Sequence, residues 1–138
     1  MQPVLIVEDN QDLQNIYKVA FENVGVPIVI KENGLDAMAE IKKINPSLIL
    51  LDLLMPDIDG IKFMKMISQN NQTTYPTIIC SNLSSKETME ECKSLGCIDY
   101  IIKADVDIGE IVNKVRTFLE KQLAEKATQK VAEETTQN

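Results

Sequence analysis

An unbroken apolar run that stops at an acid is the most informative stretch of this chain. Residues Leu48–Leu51 are four consecutive large aliphatics, Asp52 follows them, and Met55–Gly60 contains a proline, two acids and a glycine. A short continuous apolar run is typical of a strand that is covered on both faces, as in a parallel sheet. The residues after it are turn formers, so the strand is predicted to end near Asp52.

Taken alone, this stretch leaves two interpretations of Asp52 open. In an open parallel sheet, ligands bind where the carboxyl ends of the strands meet the loops, so an acid there is well placed for chemistry. The same acid could equally end the strand and do nothing more. The residues at the other strand ends decide between the two interpretations.

Apolar runs and helical patterns alternate through the rest of the chain. Four further strands are predicted at Val4–Val7, Val26–Ile30, Pro76–Ser81 and Ile98–Ile102, and a segment with apolar residues at helical spacing follows each strand. Five such β–α units imply a parallel sheet with right-handed crossovers and helices on both faces. The predicted fold class is therefore α/β.

The helix starts are predicted from capping and turn residues. Asn10 opens the first helix, the second covers about Leu35–Ile44, and the third begins after Gly60. Ser84, with Glu87 three residues later, matches a capping box and is predicted to start the fourth helix.

The last helix sets the predicted end of the domain. From about Val106 its apolar residues recur on one side as far as Leu123, and beyond that point Val131 is the single large aliphatic. Helix propensity persists to about Val131, but little of that segment can be buried. Residues 1–123 are therefore predicted to form one domain, and residues 124–138 a helical extension that fades into a disordered tail.

Composition excludes several classes of function. The 138 residues include 14 basic and 21 acidic ones, for a net charge of −7, which argues against a nucleic-acid or anionic-membrane surface. No apolar run is long enough to cross a bilayer and no signal peptide is visible, so the cytoplasm is the expected location. The chain has no histidine, which excludes Ser-His-Asp and Cys-His catalysis.

Polar side chains follow four of the predicted strands at one edge of the sheet. Glu8 and Asp9 follow the first strand, Asp52 the third, and Lys103 the fifth, while Ser81 ends the fourth. Converging carboxylates repel one another unless a cation lies among them, and oxygen ligands of this kind suit Mg²⁺. Without histidine, a carboxylate is the plausible nucleophile. An aspartate beside Mg²⁺, a lysine and a hydroxyl is equipped to accept a phosphoryl group.

These residues resemble the motifs of the receiver domains of bacterial two-component response regulators, in particular single-domain receivers of the chemotaxis type. The matching residues are Glu8-Asp9, Asp52 with Met55-Pro56 and Asp59-Gly60, Ser81, and Tyr100 with Lys103, within about Pro3–Leu123. The resemblance implies a flavodoxin-like (βα)5 three-layer sandwich whose five-stranded parallel sheet has the order 2-1-3-4-5. It also implies a signalling module that accepts and loses a phosphoryl group on its own residue, and not a turnover enzyme.

The resemblance implies a role for each residue that would meet the phosphoryl group. Asp52 would be the phosphoacceptor, and Lys103 would contact the phosphoryl oxygens. Ser81 would contact them after it moves. Tyr100 would be a rotameric switch, buried when Ser81 is drawn toward the phosphoryl group.

The resemblance also implies that Mg²⁺ is the cofactor. Asp9, Asp52 and the backbone carbonyl of Leu54 would bind the ion directly, and Glu8 would act through water. We interpret Asp57 as a turn residue and not as a ligand.

The implied partners are proteins. A histidine kinase or histidine phosphotransfer protein would donate the phosphoryl group, and a downstream protein target would bind the α4–β5–α5 face, formed by the fourth helix, fifth strand and fifth helix. A homodimer through the same face stays open, and neither nucleic acid nor membrane is expected as a partner of this chain. It is also open whether the chain is a whole protein or a receiver from a longer regulator.

Three departures from the family pattern bear on these roles. Ala104 follows Lys103 where the family usually has proline in a cis peptide; cis before alanine costs about 3–4 kcal/mol, so we expect either trans with a rearranged loop or a strained exception. Asn82 stands where a very small residue is usual, and its larger side chain is expected to narrow the phosphoryl group's access to Asp52. Leu54 and Leu83 stand where polar groups are common, and two leucines that exclude water predict slow autodephosphorylation.

Two other functions are considered. One is a pseudo-receiver, a phosphorylation-independent binding or dimerisation domain, which Ala104 and Asn82 would favour. The other is a flavodoxin or small phosphatase on the same sheet. A flavodoxin needs a phosphate-binding loop rich in Gly, Ser and Thr where this chain has Glu8–Gln11, and a phosphatase would want a second acid at Leu54.

Overall fold

Strands and helices alternate along the chain in the computed structural model, which describes residues 1–69 and 75–136. The strands are β1 (Val4–Val7), β2 (Ile28–Lys31), β3 (Leu48–Leu51), β4 (Thr77–Ser81) and β5 (Asp99–Ile102). The helices are α1 (Gln11–Asn23), α2 (Gly34–Ile44), α3 (Gly60–Gln69), α4 (Lys86–Ser94) and α5 (Ile108–Thr136), and a 3-10 turn (Lys103–Asp105) joins β5 to α5.

All five strands pair in parallel in the order β2-β1-β3-β4-β5, which confirms the predicted fold class and strand order. The three inner strands are buried at every residue, while the edge strands β2 and β5 are mostly half-buried. Burial on both faces explains why β1 and β3 are wholly apolar.

Alternate residues of the inner strands pack on opposite sides of the sheet. One core cluster lies on the α1–α5 side, and its members include Val4, Ile6, Tyr17, Phe21, Leu48, Leu50, Ile78, Val115 and Leu119. The second lies on the α2–α4 side, and its members include Leu5, Val7, Ala37, Ile41, Ile49, Leu51, Phe63, Ile79 and Cys92. The chain is therefore a three-layer sandwich, as predicted.

Helix α4 begins one residue later than the sequence predicted. The N-cap is Ser85, whose Oγ accepts a hydrogen bond from the Thr88 amide at 3.2 Å. The prediction of Ser84 as the cap, with Glu87 reaching back, was wrong. The hydroxyl of Ser85 also donates to Oγ1 of Thr88 at 2.7 Å, which adds to the cap at this position.

Helix α5 extends past the core as far as Thr136. Leu119 is the last of its residues in a core cluster, and Leu123 and Val131 are 48% and 61% exposed. The domain boundary near residue 123 stays a prediction, and residues 137 and 138 of the expected disordered tail lie outside the described residues. Within the described ranges, no helix combines the length and the apolar character needed to span a membrane.

Candidate functional site

The strand register brings the predicted site residues to one edge of the sheet. Val7 lies opposite Leu51, so the residues that follow β1 and β3 are neighbours. Ser81 lies opposite Ile102, which places Lys103 one residue beyond that pair. Parallel strands all end at the same edge, and this edge is where ligands bind in open α/β sheets.

Three carboxylates meet at this edge, and we call them the acidic cluster: Glu8, Asp9 and Asp52. One oxygen from each lies within 4.8 Å of the other two. Glu8 and Asp52 are only 2% and 7% exposed, whereas Asp9 is exposed. Two buried carboxylates and an exposed third need positive charge nearby to offset their mutual repulsion.

Lys103 supplies a positive charge to the acidic cluster. Its Nζ lies 2.7 Å from Oδ2 of Asp52 and 2.7 Å from Oε2 of Glu8. Burial acts to lower the pKa of Lys103, but the hydrogen bonds to Asp52 and Glu8 outweigh it and raise that pKa. The ammonium group is therefore held in its charged form. Burial raises the pKa of Glu8 despite its lysine partner, because this carboxyl is almost wholly enclosed.

The remaining contacts of Asp52 and Glu8 are with nearby backbone and helix α1. Oδ1 of Asp52 accepts a hydrogen bond from the Leu54 amide at 3.1 Å. Oε1 of Glu8 accepts one from the Asn10 amide at 3.1 Å. The carbonyl of Glu8 accepts another from Nε2 of the buried Gln14 at 2.6 Å. Sequence analysis missed Gln14, because a polar residue in a helix gives no sign of which carbonyl it will meet.

Ser81 and Tyr100 both bind the backbone of Leu83. The buried hydroxyl of Ser81 accepts a hydrogen bond from the Leu83 amide at 3.3 Å. The half-buried Tyr100 donates its hydroxyl to the Leu83 carbonyl at 2.5 Å. The two residues that the resemblance links as a switch are therefore connected through a single residue of the β4–α4 loop.

Asp57 lies outside the acidic cluster and binds the start of helix α2. Its Oδ1 accepts hydrogen bonds from the amides of Gly34 (3.1 Å) and Ile58 (2.7 Å), and its Oδ2 accepts one from Leu35 (2.8 Å). We call this arrangement the Asp57 clamp. Slight burial acts to raise the pKa of Asp57, but the three amides together lower it. A Cβ at Gly34 would lie 2.6 Å from Cγ1 of Ile58, so the β3–α3 loop also packs closely on α2.

The residue after Lys103 does not prevent the lysine from reaching the acidic cluster. None of the peptide bonds in the described parts of the chain is cis, so Lys103–Ala104 is trans and opens the 3-10 turn. This is the first of the two expected alternatives. Oδ1 of Asn82 accepts a hydrogen bond from the Ala104 amide at 2.8 Å, so the two unusual residues contact each other.

The two leucines that were expected to exclude water lie in different surroundings. Leu54 is 54% exposed. Leu83 is half-buried and packs against the core cluster on the α2–α4 side. Leu54 is therefore the more open of the two to solvent.

Comparison with known proteins identifies the family. The family model described as the response regulator receiver domain matches residues 4–116. The chain belongs to this family, whose members act in two-component signalling. The response regulator ArlR of Staphylococcus saprophyticus is 34% identical over 124 residues, which cover 88% of this chain and 54% of ArlR. Sporulation initiation phosphotransferase F of Bacillus subtilis is 31% identical over 121 residues, which cover 86% of this chain and 94% of that receiver relative.

Solved structures show the same fold. The receiver domain of the Francisella response regulator 1452 has a TM-score of 0.79 at 30% identity and covers 88% of this chain, with 99% of that domain matched. A CheY-like receiver domain protein from Methanospirillum hungatei has a TM-score of 0.80 at 22% identity, and the match covers 91% of this chain and 98% of that protein's chain. At this low identity, the similarity supports the fold alone.

The chain matches only part of several curated relatives. It spans 26% of the regulatory protein AtoC of Escherichia coli, 44% of the transcriptional regulatory protein TrcR of Mycobacterium tuberculosis and 54% of ArlR. What those longer regulators do as whole proteins is therefore not transferred to this chain.

Proposed function

We propose that this chain accepts a phosphoryl group on Asp52, from a histidine kinase or histidine phosphotransfer protein, in a Mg²⁺-dependent reaction. The observation that carries the proposal is the pair of 2.7 Å contacts from Lys103 to Asp52 and Glu8, inside a cluster of three carboxylates. This lysine partly offsets the negative charge around Asp52, which lies at a strand end where a donor can approach.

The donor set of the acidic cluster fits a hard divalent cation. Carboxylate oxygens that lie within 4.8 Å of one another are the ligands Mg²⁺ prefers, and the ion usually keeps several waters. Asp9, Asp52 and the carbonyl of Leu54 would hold it, with Glu8 acting through water. When bound, Mg²⁺ supplies positive charge that offsets the charge on the phosphoryl oxygens.

The chain's own residues divide the remaining work. A carboxylate oxygen of Asp52 attacks phosphorus in line, the phosphorus–nitrogen bond of the donor's phosphohistidine breaks, and an acyl phosphate forms. Lys103 stays protonated and transfers its hydrogen bond from the carboxylate to a phosphoryl oxygen. The hydrogen bond from the Leu54 amide to Oδ1 of Asp52 keeps the carboxylate oriented during the transfer.

The contacts at Leu83 support a switch that reaches the α4–β5–α5 face. For Ser81 to donate to a phosphoryl oxygen, its hydroxyl has to leave the Leu83 amide, and Tyr100 is bonded to the carbonyl of the same residue. Movement of this loop therefore changes the surroundings of Tyr100 and the surface around it, which a downstream protein or a second copy of the chain would sense.

Beryllofluoride with Mg²⁺, a stable mimic of the phosphoryl group, tests the proposal. Two-dimensional amide NMR of the wild type should show shifts at Ser81, Leu83 and Tyr100 on addition. Asp52→Asn should show none of them. Asp36→Asn, an exposed acid in the first turn of α2, is the matched control and should behave as wild type.

Phosphorylation itself is tested with acetyl phosphate and intact-protein mass spectrometry. The mass of the wild type should increase by one phosphoryl group when Mg²⁺ is present. It should not increase when EDTA removes the Mg²⁺. A chain that shows no Asp52-dependent change in either experiment would be a pseudo-receiver, and the proposal would be rejected.

A further inference from the structure

One side-chain hydrogen bond joins the two segments that carry Ser81 and Lys103. Oδ1 of Asn82 accepts from the Ala104 amide at 2.8 Å. Asn82 directly follows Ser81 at the end of β4, and Ala104 directly follows Lys103 in the 3-10 turn. The backbone ladder between β4 and β5 ends at the pair Ser81 and Ile102, so this bond continues the connection one step beyond the sheet.

Apart from the ion pairs of the Lys103 side chain itself, the backbone of the turn that carries this lysine is lightly held. The backbone bond that closes it, from the Val106 amide to the Lys103 carbonyl, is 3.5 Å long, at the outer limit for a hydrogen bond. The residue before the turn, Ile102, provides no side-chain cap, and Ala104 itself is exposed. The bond to Asn82 is therefore the short, well-formed contact that attaches this turn to the neighbouring loop.

We propose that Asn82 is a positioning residue for Lys103. Its carboxamide oxygen fixes the Ala104 amide, and this fixes the backbone from which the lysine reaches Asp52 and a phosphoryl group bound there. The inference rests on the proposed function, and it concerns Asn82 alone, a residue that contacts none of the reacting atoms.

Loss of the acceptor oxygen should weaken the binding of a phosphoryl mimic. A single net hydrogen bond changes an equilibrium by about threefold to tenfold, and small displacements of a positioning group are costly for catalysis. We therefore expect Asn82→Ala and the size-matched Asn82→Leu to raise the dissociation constant for beryllofluoride by about threefold to tenfold at saturating Mg²⁺.

Amide hydrogen exchange at Ala104 reports the bond directly. This exposed amide should exchange slowly in the wild type and quickly in Asn82→Ala and Asn82→Leu. Asn82→Asp keeps an acceptor oxygen, so it should retain slow exchange at Ala104. Asn113→Ala, at an exposed asparagine of α5, is the matched control and should change neither measurement.

The outcomes separate the two proposals. Asp52-dependent binding that is equal in wild type, Asn82→Ala and Asn82→Leu would overturn the role of Asn82 and leave the proposed function standing. Fast exchange at Ala104 in the wild type would overturn it too, because the bond would then be absent in solution. Absence of beryllofluoride binding in the wild type would overturn the proposed function, and this inference with it.

Discussion

The two flanks of the acidic cluster are held by bonds of different strength. On the β3–α3 flank, a carboxylate binds three amides in the Asp57 clamp, and Ile58 packs closely on Gly34. On the β4–β5 flank, the contacts that join the loops to each other are uncharged: Asn82 with Ala104, and Ser81 and Tyr100 with one loop residue. The charged contacts of this flank run from Lys103 to the acidic cluster instead. Hydrogen bonds to a charged group are roughly twice as strong as neutral ones.

This difference matches the work that each flank is proposed to do. The β3–α3 loop would supply a metal-binding carbonyl and gains from being fixed. The loops after β4 and β5 would have to close on a phosphoryl group and then release it, so weaker contacts suit them. The comparison gives four predictions.

The largest effect is expected at Gly60, where the β3–α3 flank passes closest to Asp52. A Cβ at Gly60 would lie 2.6 Å from Cα of Leu53 and 2.9 Å from the carbonyl oxygen of Asp52. Because backbone atoms cannot rotate away, Gly60→Ala should lower the free energy of unfolding by about 3 kcal/mol. Urea denaturation followed by circular dichroism measures it.

Gly109→Ala is the control for Gly60→Ala. A Cβ at Gly109 meets the flexible carboxylate of Asp107 at 3.2 Å, so the free energy of unfolding should change by about 1 kcal/mol or less. Equal losses in the two variants would show that the β3–α3 flank is not closely packed.

The lifetime of phospho-Asp52 tests which flank excludes water. We expect slow autodephosphorylation in the wild type. Leu54→Asn should speed it by about tenfold, because an amide beside the site can orient water. Leu83→Glu should do less, since Leu83 packs against core residues. Loss of phosphoryl group with time in Mg²⁺ gives the rates, and an unchanged lifetime in the double variant would contradict the expectation.

The Asp57 clamp should contribute a smaller amount to stability. Asp57→Ala should lower the free energy of unfolding by about 1 kcal/mol, as for loss of a helix cap, and speed amide exchange at Gly34 and Leu35. Because the folded state lowers the pKa of Asp57, the contribution of its charge is present above the unfolded-state pKa of about 3.9 and lost as pH falls through the lower folded-state value.

The pH dependence of the Asp57 clamp is measured against Asp57→Asn, which removes the charge and keeps one acceptor oxygen. The difference in unfolding free energy between wild type and this variant should be constant near neutral pH and shrink in acid. A difference that stays constant down to pH 2 to 3 (about one unit below the usual carboxyl range) would mean that the charge contributes nothing.

The smallest effect is expected far from both flanks. Ending the chain after Ala127 removes a helical segment in which Val131 is 61% exposed. The free energy of unfolding should change by less than about 0.5 kcal/mol, and beryllofluoride binding should not change. A larger loss of stability would show that the extension is part of the folded domain.

The fold could be predicted because buried strands leave a strong pattern. Strands β1 and β3 are enclosed on both faces, so every residue in them is apolar and their ends stand out. The edge strand β2 was less clear: the predicted Val26–Ile30 became Ile28–Lys31, since a half-buried edge tolerates a lysine. Helix ends were the least certain, as the adjacent serines before α4 show.

The contacts that hold the loops could not be predicted from the sequence. Asp57 binds the amide of a residue 23 positions away, and Asn82 one that is 22 positions away. Every residue except proline has the same backbone amide, so the sequence does not mark which amide a side chain will find. The position of Glu8, Asp52 and Lys103 at one edge of the sheet could be predicted because these residues follow strand ends, whereas the loop contacts around them could not.

The 2.7 Å contacts of Lys103 make it a tethered counterion for the acidic cluster. A cation that is covalently part of the chain cannot be diluted or chelated, so its local concentration is set by the fold and not by the solution. The fold therefore supplies one positive charge to the acidic cluster without any soluble ion. Under the proposed function, a divalent cation at the acidic cluster would share in offsetting the carboxylate charge, and Lys103 could then bind a phosphoryl oxygen.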